Sequence, residues 1–464
     1  MLAYASAMGS PAADAPRAPA FPVGLIALVL AIALALAASW GEQVWARRVT
    51  SRYVEALAVP RLPGKSQGLV MQEGALATGH TLPLYGSSEL YCCGRPYRAT
   101  DLFTGAPTGF DAFAAGRNGT ADLFFMQTFA ALGHALRGKK ILVSISPTWF
   151  FQRHGLAADA YDANFSPEIA YAFAFEAPIS LAVREAGARR MLDYPDTLSD
   201  QPLLRAALED LANPTLFHLA RYFVLAPLGR LYALALRVQD AVLAIRFIDK
   251  HHWIKPDGRP RPEHLDWVGL AKRGTAIAER RDTTNDFGFP NAMYRRQLRH
   301  GKLDPDVIAR RRSGVSNRDG SLLPAPTAWE GEMSSSAEWT DLELELRVLR
   351  EVGALPIVIV PPLAGVWEDY TQLSAPERDK FYDHFDRVVE QSKVPWIDLR
   401  AYDEDGYFVT DPGAHYSSRG WIFVDRALDM FWHGESIDSI RAALATLAEE
   451  VPAPAVAPAT RPRR

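Results

Sequence analysis

Two short segments of this chain carry residues of the kinds that catalyse acyl transfer. The first is Gly-Ser-Ser-Glu at 86–89, which follows an apolar run typical of a buried strand and suits the start of a helix. A serine at such a junction exposes its hydroxyl near backbone N–H groups that stabilise a developing oxyanion. The segment therefore predicts a nucleophile at Ser88, although a serine that only caps the helix fits the same pattern.

The second segment lies near the C-terminal end, where Asp411 and His415 occupy a turn with proline and glycine. A helix is predicted to begin directly after this turn, near Ser417. A histidine on such a loop can take the proton of a serine hydroxyl, while an acid upstream fixes its tautomer and stabilises the imidazolium. The alternative is a turn aspartate with a capping histidine, and the residues alone favour neither.

Alternating helices and strands must position these segments. Apolar runs predict buried strands at 139–146, 355–360 and 395–399. Helical spacing predicts helices at 121–138, 338–353 and 375–392. This alternation predicts an α/β fold of three layers around a mostly parallel sheet. Gly-Arg-Asn-Gly at 116–119 predicts a loop, either an ordinary turn or one whose backbone N–H approaches a substrate.

Residues 21–40 contain no charged side chain, and their number is what a helix needs to cross a bilayer. Trp40 and Trp45 suit the membrane–water interface. A cleavable signal peptide is the alternative, but the apolar run is long for one, so we predict a membrane anchor. Arg17 is the only basic residue before the span, whereas three arginines follow it closely. The positive-inside rule alone would keep the large domain in the cytoplasm, but long domains translocate despite such charges.

The rest of the chain is predicted to divide into several parts. These are a disordered tail (1–20), a linker and domain entry (41–80), the α/β domain (81–445) with a helical insertion at about 165–335, and an Ala/Pro-rich disordered tail (446–464). Within the insertion, 216–253 is apolar but interrupted by arginines, which argues against a second crossing. It predicts helices packed over the core or, as the alternative, an amphipathic surface against lipid.

Composition excludes several classes of function. The 464 residues are 48% apolar with a net charge of −4, so nothing global indicates nucleic-acid binding. The two cysteines, Cys92 and Cys93, are adjacent, and neighbouring cysteines rarely satisfy disulfide geometry, so no disulfide is expected. The sequence contains no Cys/His cluster with metal-ligand spacing, and it predicts neither a metal nor a cofactor.

The sequence resembles the DltD family, membrane-anchored D-alanyl transfer proteins with an SGNH/GDSL hydrolase-like fold. The resemblance rests on four segments that occur in the family's order from about residue 22 to 435. They are Gly-Ser-Ser-Glu-Leu at 86–90, Ser-Pro-x-Trp-Phe at 146–150, Pro-x-x-Gly-x-Trp-x-Asp-Tyr at 362–370, and His415 followed by Gly420 and Trp421.

The resemblance implies one N-terminal span, a catalytic domain outside the cytoplasmic membrane, and action in D-alanylation of teichoic acids. It also implies two partners, a D-alanyl carrier protein and a membrane-bound O-acyltransferase. Residue by residue, it makes Ser88 the nucleophile, His415 the general base and Asp411 the orienting acid. Gly119, Thr148 and Ser87 become candidates for oxyanion or substrate binding.

Three positions depart from the family pattern. Asp411 stands four residues before His415 instead of three, Thr148 replaces a glutamine, and Ala364 replaces an asparagine. We predict a serine acyltransferase or esterase that passes D-alanine to lipoteichoic acid or a related cell-envelope polymer. Two alternatives remain. One is a thioesterase that removes mischarged acyl groups from the carrier protein, and the other is a non-catalytic docking protein for the carrier and the O-acyltransferase.

Overall fold

A computed structural model of the protein describes residues 23–53, 68–106, 108–151, 153–251, 264–280, 329, 333–365, 368, 373–410 and 414–454. The tail predicted at 1–20, most of the tail predicted at 446–464, and Asp411 lie outside these residues.

Five parallel strands form the central sheet. They are β1 (Thr81–Tyr85), β2 (Asp111–Ala115), β3 (Lys140–Ser144), β4 (Leu355–Ile359) and β5 (Trp396–Ile397). Their order across the sheet is β2-β1-β3-β4-β5, and every neighbouring pair is parallel. The predicted α/β class with a parallel sheet is confirmed.

Helices surround the sheet on both faces. In chain order they are α1 (Val23–Arg52), α2 (Val70–Ala77), α3 (Ala99–Gly105), α4 (Asp122–Leu132), α5 (Ala158–Asn164), α6 (Pro167–Phe175), α7 (Leu181–Leu192), α8 (Pro202–Ala212), α9 (Leu216–His251), α10 (Trp267–Arg280), α11 (Glu338–Val352), α12 (Ala375–Ser392), α13 (Ser418–His433) and α14 (Ile437–Glu450). The described residues of the region predicted as a helical insertion are mostly helical. Helix α14 continues to Glu450, beyond residue 445, where the domain was predicted to end.

Successive strand residues contact two separate cores, which explains why both faces of the strands are mostly apolar. In β1, Leu82 and Leu84 pack into one core with α3, α10, α13 and α14. Tyr85 packs into the other core, with α2, α4, α11 and α12 and the helices that follow β3. The sheet is therefore the middle of three layers, and its carboxyl edge is free to carry loops.

Helix α1 is apolar, exposed over 24–38, and continuous with a segment that packs against the body. Within that segment Ala46 and Thr50 are fully buried, and α1 contacts both α2 and α9. Among the described residues it is the only helix long and apolar enough to cross a membrane, with a mean hydropathy of 2.2. Such a helix near the N-terminus is consistent with an anchor or a signal sequence.

Four carboxyl groups are buried where α4 packs against α11. Asp122, Glu338, Asp341 and Glu345 are all shielded from solvent, and Arg190 binds both oxygens of Asp341 at 2.7 Å. Burial, with a smaller contribution from the Asp341 carboxylate, raises the pKa of Glu338 from 4.5 to about 8. Burial also raises the pKa of Asp122 and of Glu345 well above the usual range. This cluster therefore favours protonated carboxyls in the folded protein.

We expect the protein to be most stable on the acidic side of neutrality and to lose stability as the pH rises towards 8. The unfolded chain releases the Glu338 proton near pH 4.5, whereas the folded protein holds it to about pH 8. The folded state thus binds more protons in this window, so stability falls as the pH rises through it. Apparent melting temperatures from pH 5 to pH 9 test this. Glu345→Gln should flatten the dependence, and a melting temperature that rises throughout would contradict it.

Candidate active site

Ser88 follows the carboxyl end of β1, the strand at which the order of the sheet reverses. Strands β2 and β3 flank β1 on opposite sides, and open α/β sheets bind ligands in the crevice at such a position. The loop after β2 passes directly against the loop after β1. A Cβ on Gly116, whose φ is +155°, would lie 1.7 Å from the carbonyl oxygen of Gly86. Only glycine permits this approach, which holds the two loops together beside Ser88.

The turn that carries Ser88 is shorter than predicted. Ser88–Leu90 forms a single 3₁₀ turn, in which the N–H groups of Tyr91 and Cys92 donate to Ser88 O at 3.0 and 2.9 Å. The next α-helix, α3, begins only at Ala99. The predicted helix start at Ser88 is therefore wrong, and a long helix dipole does not point at this serine. Gly94, with φ +81°, lies in the connection between this turn and α3.

The two cysteines lie directly after this turn and are bonded to each other. The expectation that adjacent cysteines form no disulfide is therefore wrong. Cys93 is buried, and Cys92 is tied to Ser88 through its backbone N–H. The disulfide thus lies close along the chain to the serine.

His415 contacts Ser88 directly. Its Nε2 atom lies 2.7 Å from Ser88 Oγ, although the two residues are 327 positions apart in the sequence. The histidine is 3% exposed, whereas Ser88 is half-buried and so reachable from the crevice. The two residues predicted as nucleophile and base are therefore within hydrogen-bond distance, as a proton transfer between them requires.

A tight hairpin holds His415 in this position. Thr410 N–H donates to the carbonyl oxygen of His415 at 2.7 Å, and Ser417 N–H donates to that of Phe408 at 2.9 Å. Helix α13 then starts at Ser418, and the Ser417 side chain accepts the N–H groups of Arg419 and Gly420. This confirms the helix start predicted near Ser417 and fixes the loop from its C-terminal side. Asp411 lies outside the described residues.

The other predicted residues lie at the same edge of the sheet. Ser87 Oγ accepts the N–H of Gly119 at 3.0 Å and donates to the carbonyl oxygen of Arg117 at 3.3 Å. The Gly119 N–H thus points at the Ser87 hydroxyl, and its role as an oxyanion donor stays a prediction. Thr148 follows β3 and shares a hydrogen bond of 2.9 Å with Ser146, so its role in substrate binding also stays a prediction.

One residue of this turn was not among the predicted site residues. The side chain of Glu89 is buried, and its Oε1 atom accepts the backbone N–H of Ser87 at 2.8 Å. Burial raises the pKa of the Glu89 carboxyl, while hydrogen bonds from the backbone and the nearby His415 act in the opposite direction. The sequence contains one signal for Glu89, an acidic residue within an otherwise buried turn. Its position also fits the start of a helix, and it was interpreted in that way.

The arrangement suits nucleophilic chemistry at a serine. An imidazole that removes the Ser88 proton makes Oγ a nucleophile for an acyl carbon in the crevice. Within the described ranges, no group of three or more His, Cys, Asp or Glu side chains is placed to hold a metal ion. A three-layer body with its serine and histidine at the carboxyl edge of a parallel sheet has the architecture of the SGNH hydrolase-like class.

Comparison with known proteins narrows this class to one family. The family model described as DltD protein matches residues 62–433, and the chain therefore belongs to the DltD family. A protein DltD from Bacillus subtilis (strain 168) is 26% identical over 419 residues, which cover 90% of this chain and 98% of that relative. A protein DltD from Staphylococcus aureus (strain NCTC 8325 / PS 47) is 24% identical, covering 90% and 96%. One from Lacticaseibacillus rhamnosus is 22% identical, covering 79% and 80%.

Proposed function

We propose that this chain is a membrane-anchored serine acyltransferase or esterase that acts in the D-alanylation of lipoteichoic acid or a related cell-envelope polymer. The observation that carries the proposal is the 2.7 Å contact between Ser88 Oγ and His415 Nε2 at the carboxyl edge of the sheet. Membership of the DltD family supports D-alanine as the acyl group.

The proposed reaction has two halves. In the first, His415 Nε2 accepts the proton of Ser88 as Oγ attacks the carbonyl carbon of a D-alanyl ester or thioester. The imidazolium then protonates the departing alcohol or thiol, which leaves D-alanyl-Ser88. In the second half, His415 takes the proton of a polymer hydroxyl, whose oxygen attacks the acyl-enzyme; the bond from the acyl carbon to Ser88 Oγ breaks, and the imidazolium returns the proton to Oγ. Asp411 is the proposed orienting acid for the imidazole, and Gly119, Thr148 and Ser87 are proposed to bind the substrate or the oxyanion.

Membrane attachment through α1 is part of the proposal. The helix continues from an exposed apolar stretch into contacts with α2 and α9, which supports an anchor that belongs to the folded body. We place the catalytic domain, residues 81–445 with the insertion at about 165–335, on the outer face of the cytoplasmic membrane. Its proposed partners are a D-alanyl carrier protein and a membrane-bound O-acyltransferase.

Ser88→Ala tests the proposal directly. In cells that depend on this chain, we expect the D-alanyl ester content of the envelope polymer to fall to that of a deletion strain, because no acyl-enzyme can form. Protein level and membrane fraction should stay unchanged, since Ser88 is half-buried on a short turn. Normal ester content in this variant would exclude a catalytic serine at position 88.

A matched control is available in the neighbouring loop. Ser146→Ala removes a hydroxyl at the same edge of the sheet, where Ser146 bonds Thr148 and not His415. It should retain most of the ester content. An impermeant fluorophosphonate applied to intact cells should label Ser88, which also reports the side of the membrane on which the domain lies.

A docking role is the second candidate, and one observation favours it. The first half of α9 exposes large apolar side chains, including Phe217, Val224 and Leu231, which are 71%, 78% and 61% exposed. In this role the face would bind the O-acyltransferase. Val224→Glu together with Leu231→Glu would then abolish ester formation, while Ser88→Ala would retain it. The opposite pair of results supports the acyl-transfer reaction.

A further inference from the structure

The Glu89 carboxylate occupies the inside of the turn that carries Ser88. It is 2% exposed, and its Oε1 atom accepts the Ser87 N–H at 2.8 Å. A Cβ on Gly86 would lie 2.4 Å from the same oxygen, so the carboxylate fills the space that a side chain at position 86 would need. Glu89 therefore fixes the backbone on the N-terminal side of Ser88 from within the protein.

Two other elements interact with this carboxylate. The hydroxyl of Ser144, at the end of β3, faces both the Glu89 carboxyl and the Tyr416 phenol. His415, the residue before Tyr416, interacts electrostatically with Glu89. The buried acid thus bonds the turn of the nucleophile directly and interacts electrostatically with the histidine of the base loop.

We propose that Glu89 is a positioning residue for the Ser88–His415 pair, which holds the Ser88 turn through the Ser87 N–H and stabilises the protonated imidazole from the inner side. This inference rests on the proposed function. Burial raises the pKa of Glu89, but the Ser87 and Glu89 N–H groups, Ser144 and His415 all favour its charged form. An imidazolium forms while Ser88 is being acylated or released, and a negative charge nearby lowers the energy of that state. The groups that face Glu89 are the Ser87 and Glu89 N–H groups, Ser144, His415 and Tyr416.

The two parts of the role predict different effects of two variants. Glu89→Gln keeps an oxygen that can accept the Ser87 N–H but removes the negative charge. It should shift the pH profile of Ser88 phosphonylation to lower pH by about one unit, the lower end of what a neighbouring charge causes. Glu89→Ala removes both the charge and the acceptor, so it should show the same shift and, in addition, a plateau rate lower by about 10²-fold, because the serine is no longer held in place.

The experiment measures the second-order rate constant for a fluorophosphonate on the full chain in detergent, from pH 5 to pH 9. Peptide mapping identifies the labelled residue. Asp425→Asn is the matched control, because that carboxyl is also fully buried but its interacting acids are Asp101 and Asp429. It should leave the profile unchanged.

Each outcome is decisive. A wild-type chain that is not labelled at Ser88 overturns the proposed function and this inference with it. A wild-type chain that is labelled, together with an unshifted profile in Glu89→Gln, overturns this inference alone. Glu89→Gln tests the inference even if Glu89→Ala does not fold. A purely structural role of Glu89 would lower the rate of phosphonylation without shifting its pH profile.

Discussion

Replacing His415 with alanine is expected to slow the phosphonylation of Ser88 by about 10²–10⁴-fold, the usual contribution of a general base. The reason is the 2.7 Å contact between His415 Nε2 and Ser88 Oγ, which gives the serine proton a direct acceptor. The wild-type rate should also rise with pH over the range in which histidines lose their proton, because only the neutral ring accepts one. The variant should lack this rise.

His433→Ala provides the comparison. This histidine lies on the last turn of α13, is about half exposed, and contacts the carbonyl oxygen of Asp429 through Nδ1 at 2.8 Å. Ser88 of the His433→Ala variant should react with the phosphonate at the wild-type rate. Reactivity of His415→Ala within about twofold of wild type would mean that another group accepts the serine proton.

The second large effect is expected on stability, from Arg190→Met. Arg190 Nε and Nη2 each bind one oxygen of Asp341 at 2.7 Å, and this carboxyl is fully buried between α7 and α11. Removing the guanidinium leaves a buried carboxylate without its counter-charge, which costs about 3–5 kcal/mol of unfolding free energy. Chemical denaturation of the full chain in detergent at pH 8, followed by tryptophan fluorescence, measures this loss.

A control can test whether the missing counter-charge of Asp341 causes the loss of stability. At pH 5 the loss should be smaller, since burial raises the pKa of Asp341 and the carboxyl can take up a proton instead. The double variant Arg190→Met with Asp341→Asn should recover most of the stability, because no buried charge remains. An equal loss at both pH values, without recovery in the double variant, would indicate lost packing as the cause.

The sequence predicted the strands that are apolar throughout and missed one that is not. Strands β3 and β4 have the continuous apolar character of strands buried on both faces. Strand β2, Asp-Ala-Phe-Ala-Ala, is rich in alanine, which has little preference for strands, and only its pairing with β1 makes it one. The helix start after Ser417 could be predicted from the sequence, because a serine cap is a local interaction.

Residue types predicted Ser88 and His415 as candidates, but the way they meet depends on tertiary structure. The hairpin from Phe408 to Ser417 sets the position of the histidine, and its hydrogen bonds join residues whose pairing no sequence spacing specifies. Glu89 was missed for a related reason. The burial of the Glu89 carboxylate depends on residues of β3 and of the loop that carries His415. Both are distant from Glu89 in the chain.

The separation of 327 positions between Ser88 and His415 also determines when the two side chains can meet during synthesis. Strand β1 and its serine leave the ribosome long before the last hairpin, so a partly made chain carries a hydroxyl with no proton acceptor beside it. Closing so long a loop has an entropic cost that only the assembled sheet and α13 can offset. Under the proposed reaction, a chain truncated anywhere before residue 415 lacks the proton acceptor of Ser88, so its serine should react no faster than in His415→Ala.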